Sequence, residues 1–169
     1  KQNRLRILED LEKNSEGFSG SVQKVIADGK KGILRGICGT VASLIKVDED
    51  YAVAVETALG AAIQNVVTED ERSAKNAIFH LKNARAGRAT FLPVDTIKGR
   101  SIDKKTLKTS SGFEGIAAEL VTCDKKYRNI IDNLLGRTLV VSDLDEATET
   151  AKMNGYAYKI VTVDGQTVN

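Results

Sequence analysis

Few side chains in this sequence could do chemistry, and none has the spacing of a catalytic or metal-binding motif. His80 is the only histidine, so a histidine-based metal cluster or a Ser-His-Asp set would have no second ring to use. Cys38 and Cys123 have no motif spacing and no recognisable activating neighbour, which is typical of small buried residues in a reduced intracellular protein. The acidic residues gather mainly at predicted helix starts, where capping explains them. This pattern indicates a chain that is not an enzyme and needs no cofactor and no metal.

A glycine-rich run between residues 30 and 41 is the nearest approach to a phosphate-binding loop. Its glycines, Gly32, Gly36 and Gly39, follow neither the Walker A order nor GxGxxG, and no GK[ST] follows a glycine there. The run therefore predicts turns beside a short strand rather than a phosphate cradle.

Positive charge gathers on one predicted helix and its exit, where it could contact phosphates without reading bases. The residues concerned are Lys75, Lys82, Arg85 and Arg88. A solvated helix face is the alternative interpretation, because Lys75 also has acidic neighbours. A second candidate patch contains Lys104 and Lys105 in a polar segment further along the chain.

Composition limits these interpretations. The 169 residues are 41% hydrophobic and 28% charged, which is typical of a folded globular protein. A net charge of +2 does not by itself predict nucleic-acid binding, and 5% aromatic residues with no Trp count against a dedicated single-strand binder. The apolar runs are too short for a membrane span, and no signal peptide opens the chain. Because the sequence lacks an initial methionine, we expect a piece of a longer protein.

The clearest element signals lie between residues 59 and 94. Ile63, Val66 and Val67 predict a short strand, and Thr68 or Asp70 can cap the helix that follows. In that helix the apolar residues Ala74, Ala77, Ile78 and Leu81 recur at spacings of three and four. Gly87 is expected to end it, and a second extended run stops at Pro93, the only proline.

Three further helices are predicted nearer the amino end, one of them with Tyr51, Val55 and Leu59 on one face and Gly60 at its end. Ser21 can cap a short one. Residues 1–14 carry Leu5, Leu8 and Leu11 at three-residue spacing, which fits either an amphipathic helix of the domain or the end of a coiled coil.

Much of this pattern recurs in the second half of the chain. Tyr127 corresponds to Tyr51, and Gly136 corresponds to Gly60, with a similar strand and helix after each glycine. We therefore predict an α+β fold of two related lobes, residues 17–94 and 116–169, joined by an exposed linker at 95–115.

The residues also resemble the hinge domain of structural maintenance of chromosomes (SMC) proteins, particularly bacterial ones. The resemblance runs from about Gly17 to Asn169, and its most specific parts are GRATFLP, LGAAIQNVVT and LLGRTLVV. It implies that residues 1–16 are the end of a coiled-coil arm, and that the chain stops before a glycine-rich segment that would follow the second lobe.

The resemblance implies a function as well. Hinges of this family form homodimers that join two long coiled-coil arms of a cytoplasmic, nucleoid-associated chromosome condensation and segregation ATPase, whose ATP-binding head is a separate domain. Lys82 occupies a position implicated in sequence-independent DNA contact, although the lysine often found beside it is Asn83 here. The dimer interface would include Gly60, Gln64 and Asn65. Two alternatives stay open: a small-molecule or nucleotide-binding α/β enzyme domain, and a protein-interaction module without a DNA role.

Overall fold

A computed structural model describes residues 5–8 and 18–169. Short helices and short strands alternate along these residues, with single turns of 3-10 helix between several of them. The helices are α1 (Gly20–Lys30), α2 (Val41–Leu44), α3 (Ala52–Leu59), α4 (Glu71–Asn83), α5 (Arg128–Leu135) and α6 (Leu144–Met153). The strands are β1 (Leu5–Ile7), β2 (Ile37–Thr40), β3 (Ile45–Asp48), β4 (Val66–Thr68), β5 (Phe91–Pro93), β6 (Phe113–Ile116), β7 (Val121–Cys123), β8 (Thr138–Val141), β9 (Lys159–Thr162) and β10 (Thr167–Val168).

The strands form three small sheets, one in each lobe and one between the lobes. The first lobe has the order β2-β4-β5 and the second has β10-β9-β8-β6. In each, a parallel pair is connected through a helix, α4 between β4 and β5 and α6 between β8 and β9. The middle sheet, β1-β3-β7, takes one strand from each lobe and so joins them.

The lobes are related, as the sequence predicts, and the middle sheet shows how they face each other. β3 and β7 are antiparallel, with Lys46 opposite Thr122 and Ile45 opposite Cys123. Lys46 and Thr122 occupy the same place in the two repeats, counted from Tyr51 and Tyr127. The register is therefore self-complementary, and an approximate two-fold axis passes between these two residues.

Apolar packing follows this arrangement. One large core cluster contains buried residues of both lobes, such as Ile45, Val55, Ile130 and Leu139, so the lobes are not packed independently. A smaller cluster lies under α1 and α4 in the first lobe and contains Val22, Val25, Leu34, Val66, Ala77 and Leu81.

The predicted central helix is α4, and its capping follows the sequence signals. The Asp70 side chain accepts a hydrogen bond from the Ser73 backbone N–H at 2.7 Å, which satisfies one of the free donors of the first turn. Ala77 and Leu81 are buried, whereas Ile78, predicted to share their apolar face, is 51% exposed. The Ile78 prediction was wrong because the buried stripe of this helix is narrow.

The amino end differs from the prediction. Residues 5–7, expected to belong to a helical arm, form β1, which pairs antiparallel with β3. The outer edge of β3 offers unpaired backbone groups, and strand addition there satisfies them. Leu8 then lies fully buried in the large core. The rest of the predicted arm, residues 1–4 and 9–16, lies outside the described residues.

Two further expectations need correction. Helix α1 is capped by the Ser19 side chain and not by Ser21, whose hydroxyl instead donates to the Arg88 carbonyl oxygen at 2.5 Å. The predicted linker is exposed along much of its length, but it is not a free segment. Ile102 is buried, and β6 begins at Phe113. Side chains on α5 and just after it also form hydrogen bonds with the linker backbone. These bonds are Asn129 Nδ2 to Ile97 O (2.5 Å), Asn133 Nδ2 to Lys98 O (2.9 Å) and Arg137 Nη1 to Ser101 O (3.2 Å).

Candidate nucleic-acid interface

Three of the predicted DNA-binding residues lie around one open hollow between the end of α4 and β5. We call it the α4–β5 hollow; its volume is about 600 Å³. The lining residues are Ile78, Leu81, Lys82, Arg85, Gly87, Arg88, Ala89 and Phe91. Most of the lining is apolar, and the three cations Lys82, Arg85 and Arg88 form what we call the basic rim.

The way α4 ends brings the basic rim together. The Ala86 N–H donates to the Leu81 carbonyl oxygen at 3.0 Å, and the Arg85 N–H donates to the Lys82 carbonyl oxygen at 3.1 Å. This pattern is a Schellman motif, in which one residue takes a left-handed conformation and reverses the chain. Here that residue is Arg85, with φ +52°. The reversal leads the chain into β5 beside the last turn of α4, so Arg88 lines the same hollow as Lys82.

Neighbouring elements hold the backbone under the rim in place. The Ser21 hydroxyl on α1 donates to the Arg88 carbonyl oxygen at 2.5 Å. The Val66 N–H donates to the Thr90 carbonyl oxygen at 2.9 Å. The backbone under the rim is therefore held by α1 and β4, while the rim side chains are exposed to solvent.

The cations of the rim are available to a ligand. Lys82, Arg85 and Arg88 are exposed, and their side chains make no hydrogen bond or ion pair with any other described residue. Lys104 differs, because its ammonium lies 2.6 Å from the Glu119 carboxylate. Lys105 is exposed in the same turn as Lys104, and neither lines the hollow. The structure thus brings three of the five predicted residues together and leaves the other two as a separate patch.

His80 helps to hold α4 against α1. Its Nε2 lies 2.7 Å from the Asp28 carboxylate, and the Lys24 ammonium lies 3.2 Å from the same oxygen. The hydrogen bond with His80, followed by that with Lys24, lowers the pKa of Asp28 below its usual value. His80 is thus half-buried and links α4 to α1 through Asp28. Sequence reasoning missed Asp28, because its partner is 52 positions away.

The residues predicted for a dimer interface lie in the 3-10 turn between α3 and β4, or directly after it. Gly60 is exposed with φ +54°. The Gln64 side-chain oxygen accepts a hydrogen bond from the Ser19 N–H at 2.9 Å, so this group is already engaged within the chain. The Asn65 carbonyl oxygen accepts from the Val41 N–H at 2.9 Å. Their role in dimerisation stays a prediction.

The remaining candidates for chemistry have structural surroundings. Both cysteines are half-buried and free, and burial raises the pKa of the Cys123 thiol, which disfavours the reactive thiolate. In residues 5–8 and 18–169, no group of three or more His, Cys, Asp or Glu side chains is placed to hold a metal ion. Across the same part of the chain, no helix has the length and apolar character needed to cross a bilayer.

Comparison with known proteins places these features in a family. A family described as the SMC proteins flexible hinge domain matches residues 34–151. The chain is 44% identical to the chromosome partition protein Smc of Desulfitobacterium hafniense (strain Y51) over 172 residues, and 44% identical to that of Bacillus subtilis (strain 168) over 166 residues. These matches cover 100% and 96% of this chain but only 14% of each relative.

Solved structures agree with the sequence matches. An asymmetric dimer of the Geobacillus stearothermophilus SMC hinge domain matches with a TM-score of 0.86 and 41% identity, over 96% of this chain and 65% of that one. The Pyrococcus furiosus SMC hinge domain matches with a TM-score of 0.72 and 32% identity, over 96% and 85% of the two chains. The mixed helix-and-strand fold and the sequence agree, and the chain belongs to the SMC hinge domain family.

Proposed function

We propose that this hinge domain joins two copies of a longer coiled-coil protein and contacts DNA, without reading its sequence, through the basic rim of the α4–β5 hollow. The longer protein would be a cytoplasmic, nucleoid-associated ATPase of chromosome condensation and segregation, with ATP bound by a separate domain. The observation that carries the DNA proposal is the convergence of Lys82, Arg85 and Arg88 on one hollow without an acidic partner among the described residues.

Three unpaired cations set the expected strength of this contact. Each phosphate that a cation neutralises releases counterions, so the logarithm of the binding constant should fall with the logarithm of salt with a slope of about −0.9 per phosphate on duplex DNA. A rim of three contacts predicts a slope of about −2.7 and a micromolar or weaker affinity at physiological salt, as is usual for non-specific binding.

The test is fluorescence anisotropy with labelled DNA of two unrelated sequences, across a salt series. Reversing the charge of Lys82, Arg85 and Arg88 to Glu should lower the affinity more than tenfold and flatten the salt slope, equally for both sequences. Lys75→Glu is the matched control, because Lys75 lies on α4 but does not line the hollow. A second variant, with Lys104→Glu and Lys105→Glu, tests the separate patch. Unchanged binding by the triple variant would overturn the assignment of the rim.

The dimer proposal rests on the relatives, one of which is described as an asymmetric dimer. Light scattering over a wide concentration range should give twice the mass of the 18.3 kDa chain at micromolar concentration. Gly60→Glu places a charge in the predicted interface and should shift that mass toward the monomer. A mass that stays at 18.3 kDa at every concentration would contradict self-association by these residues alone.

A further inference from the structure

The helices α4 and α6 end with the same pair of backbone hydrogen bonds, although different residues occupy the key position. The chain after α6 differs in one respect, because Tyr156, which follows that position, also has positive φ (+59°), whereas its counterpart Ala86 does not. At the end of α6, the Tyr156 N–H donates to the Ala151 carbonyl oxygen at 2.8 Å and the Gly155 N–H donates to the Lys152 carbonyl oxygen at 3.1 Å. These two bonds correspond to the pair from Ala86 and Arg85 at the end of α4. Gly155 is therefore the structural equivalent of Arg85, and both have positive φ, +61° and +52°.

Glycine is the residue that this position favours. A side chain with a Cβ atom is strained at positive φ, because the Cβ crowds the following carbonyl oxygen. A Cβ added to Gly155 would have no atom within 4 Å, so the backbone conformation, and not close packing, accounts for glycine there. In the first lobe the same conformation is imposed on an arginine.

Nothing in the described chain offsets this strain. The Arg85 guanidinium is exposed and makes no hydrogen bond or ion pair with another described residue. The negative end of the helix dipole already has Lys82 in the last turn, so a further cation adds little there. A residue held in a sparsely populated conformation without a structural benefit points to a functional one.

We propose that Arg85 is the main phosphate-binding side chain of the α4–β5 hollow, and that it occupies its left-handed position at the expense of fold stability. This inference rests on the proposed DNA contact. A guanidinium can bind a phosphate through two parallel hydrogen bonds, which an ammonium cannot do, so Arg85 would contribute more than Lys82 on the same rim.

Two variants separate the backbone from the side chain. Arg85→Gly removes both the guanidinium and the strain, and it should raise Tm by about 2–4 °C for a chain of this size. Arg85→Ala removes the guanidinium but keeps a Cβ, so its Tm should stay near that of the native chain. Both should lower DNA affinity by about fivefold to tenfold and reduce the salt slope by about 0.9.

Two controls complete the experiment, which uses anisotropy and thermal unfolding on the same samples. Gly155→Ala introduces the same strain in the second lobe and should lower Tm by about 2–4 °C with DNA binding unchanged. Lys82→Ala should weaken binding less than Arg85→Ala and leave Tm in place. A fall in Tm for Arg85→Gly would overturn the inference, since it would mean that the arginine stabilises the fold.

The outcomes also distinguish this inference from the proposed function. If the triple charge reversal loses DNA while Arg85→Gly binds as tightly as the native chain, the rim contacts DNA but Arg85 is not its main residue. If the triple reversal binds normally, the DNA proposal for this hollow fails, and the inference about Arg85 fails with it.

Discussion

The two lobes use the same order of strands and helices, yet equivalent positions in them serve different purposes. The first strand of each lobe has a register irregularity ending at a glycine with positive φ, Gly39 in one and Gly115 in the other. Other pairs share a position but not a role. Three such pairs are Gly60 with Gly136, Ala52 with Arg128, and Tyr51 with Tyr127. The comparison shows that repetition preserves backbone topology while the contacts made by each lobe diverge.

Gly60 and Gly136 occupy equivalent positions, but different physical constraints require glycine at each. Gly60 has φ +54°, and an added Cβ would meet nothing within 4 Å, so only its backbone conformation requires glycine. Gly136 has φ −67°, which any residue can adopt, but an added Cβ would overlap with the Arg100 carbonyl oxygen. The segment that connects the lobes passes over Gly136 and has no counterpart over Gly60.

Replacing these glycines gives the largest expected effect. Gly136→Ala should lower the free energy of unfolding by about 3 kcal/mol, because the linker backbone must move to admit a methyl group. Gly60→Ala should cost about 2 kcal/mol, because φ +54° with ψ −131° lies outside the left-handed region that other residues adopt. Urea denaturation of both variants measures the difference. An equal loss of unfolding free energy in the two variants would mean that the linker backbone moves at little cost and that the close contact with Arg100 does not require glycine at position 136.

Ala52 and Arg128 begin equivalent helices, but only Arg128 has a side chain that forms hydrogen bonds with the neighbouring backbone. Arg128 Nη1 donates to the Val121 carbonyl oxygen at 3.2 Å, and its Nη2 donates to that of Ala118. The first bond occupies a backbone acceptor of β7, which lies at one edge of the middle sheet, and the second occupies an acceptor in the 3-10 turn before β7. Ala52 has no such donor, and in the first lobe it is β1 that covers the outer edge of β3. One edge of the middle sheet thus has β1 paired along it, whereas at the other edge the Arg128 guanidinium occupies one carbonyl oxygen of β7.

Arg128→Ala should lower the free energy of unfolding by about 2 kcal/mol, because it leaves carbonyl oxygens without their charged donor. It should also promote association through the uncovered β7 edge, which light scattering would detect. Asp132→Asn is the matched control, since it removes only the exposed ion pair with Arg128 (3.3 Å) and should cost less than 1 kcal/mol. If the two variants lose the same stability, the bonds to the carbonyl oxygens contribute nothing beyond the ion pair.

Local signals in the sequence predict most of the first lobe's elements and the repeat. Asp70 caps α4, as the sequence predicts. The prediction that Gly87 ends this helix was wrong, because α4 ends at Asn83 and Arg85 takes the left-handed position at which glycine is usual. Long-range contacts could not be predicted in this way. Three such contacts depend on which surfaces meet after folding: the pairing of β1 with β3, the Asp28–His80 hydrogen bond, and the hydrogen bonds between the linker and α5. The candidate site was predictable as a basic helix, but the left-handed conformation of Arg85 was not.

Tyr51 and Tyr127 connect the lobes through equivalent positions with different partners. The Tyr51 hydroxyl donates to the Glu114 carboxylate at 2.8 Å, across the lobe boundary. This hydrogen bond, with smaller contributions from burial and nearby carboxylates, raises the pKa of Tyr51 to about 12. The residue equivalent to Glu114 in the first lobe is Cys38, and it is the partner of Tyr127, whose pKa is raised first by burial and then by that contact.

The smallest expected effect comes from removing these hydroxyl groups. Tyr51→Phe should lower the free energy of unfolding by about 1 kcal/mol, since its partner is a carboxylate, and Tyr127→Phe should cost less, since a thiol is a weak partner. A raised pKa means that the folded state favours the protonated phenol. The stabilisation by Tyr51 is therefore complete below pH 10 and is lost as the pH rises toward 12. Urea unfolding of the native chain and the two variants at pH 8, 10 and 11.5 measures this window. A difference between the native chain and Tyr51→Phe that stayed constant through pH 11.5 would show that the Glu114 bond does not hold the lobes together.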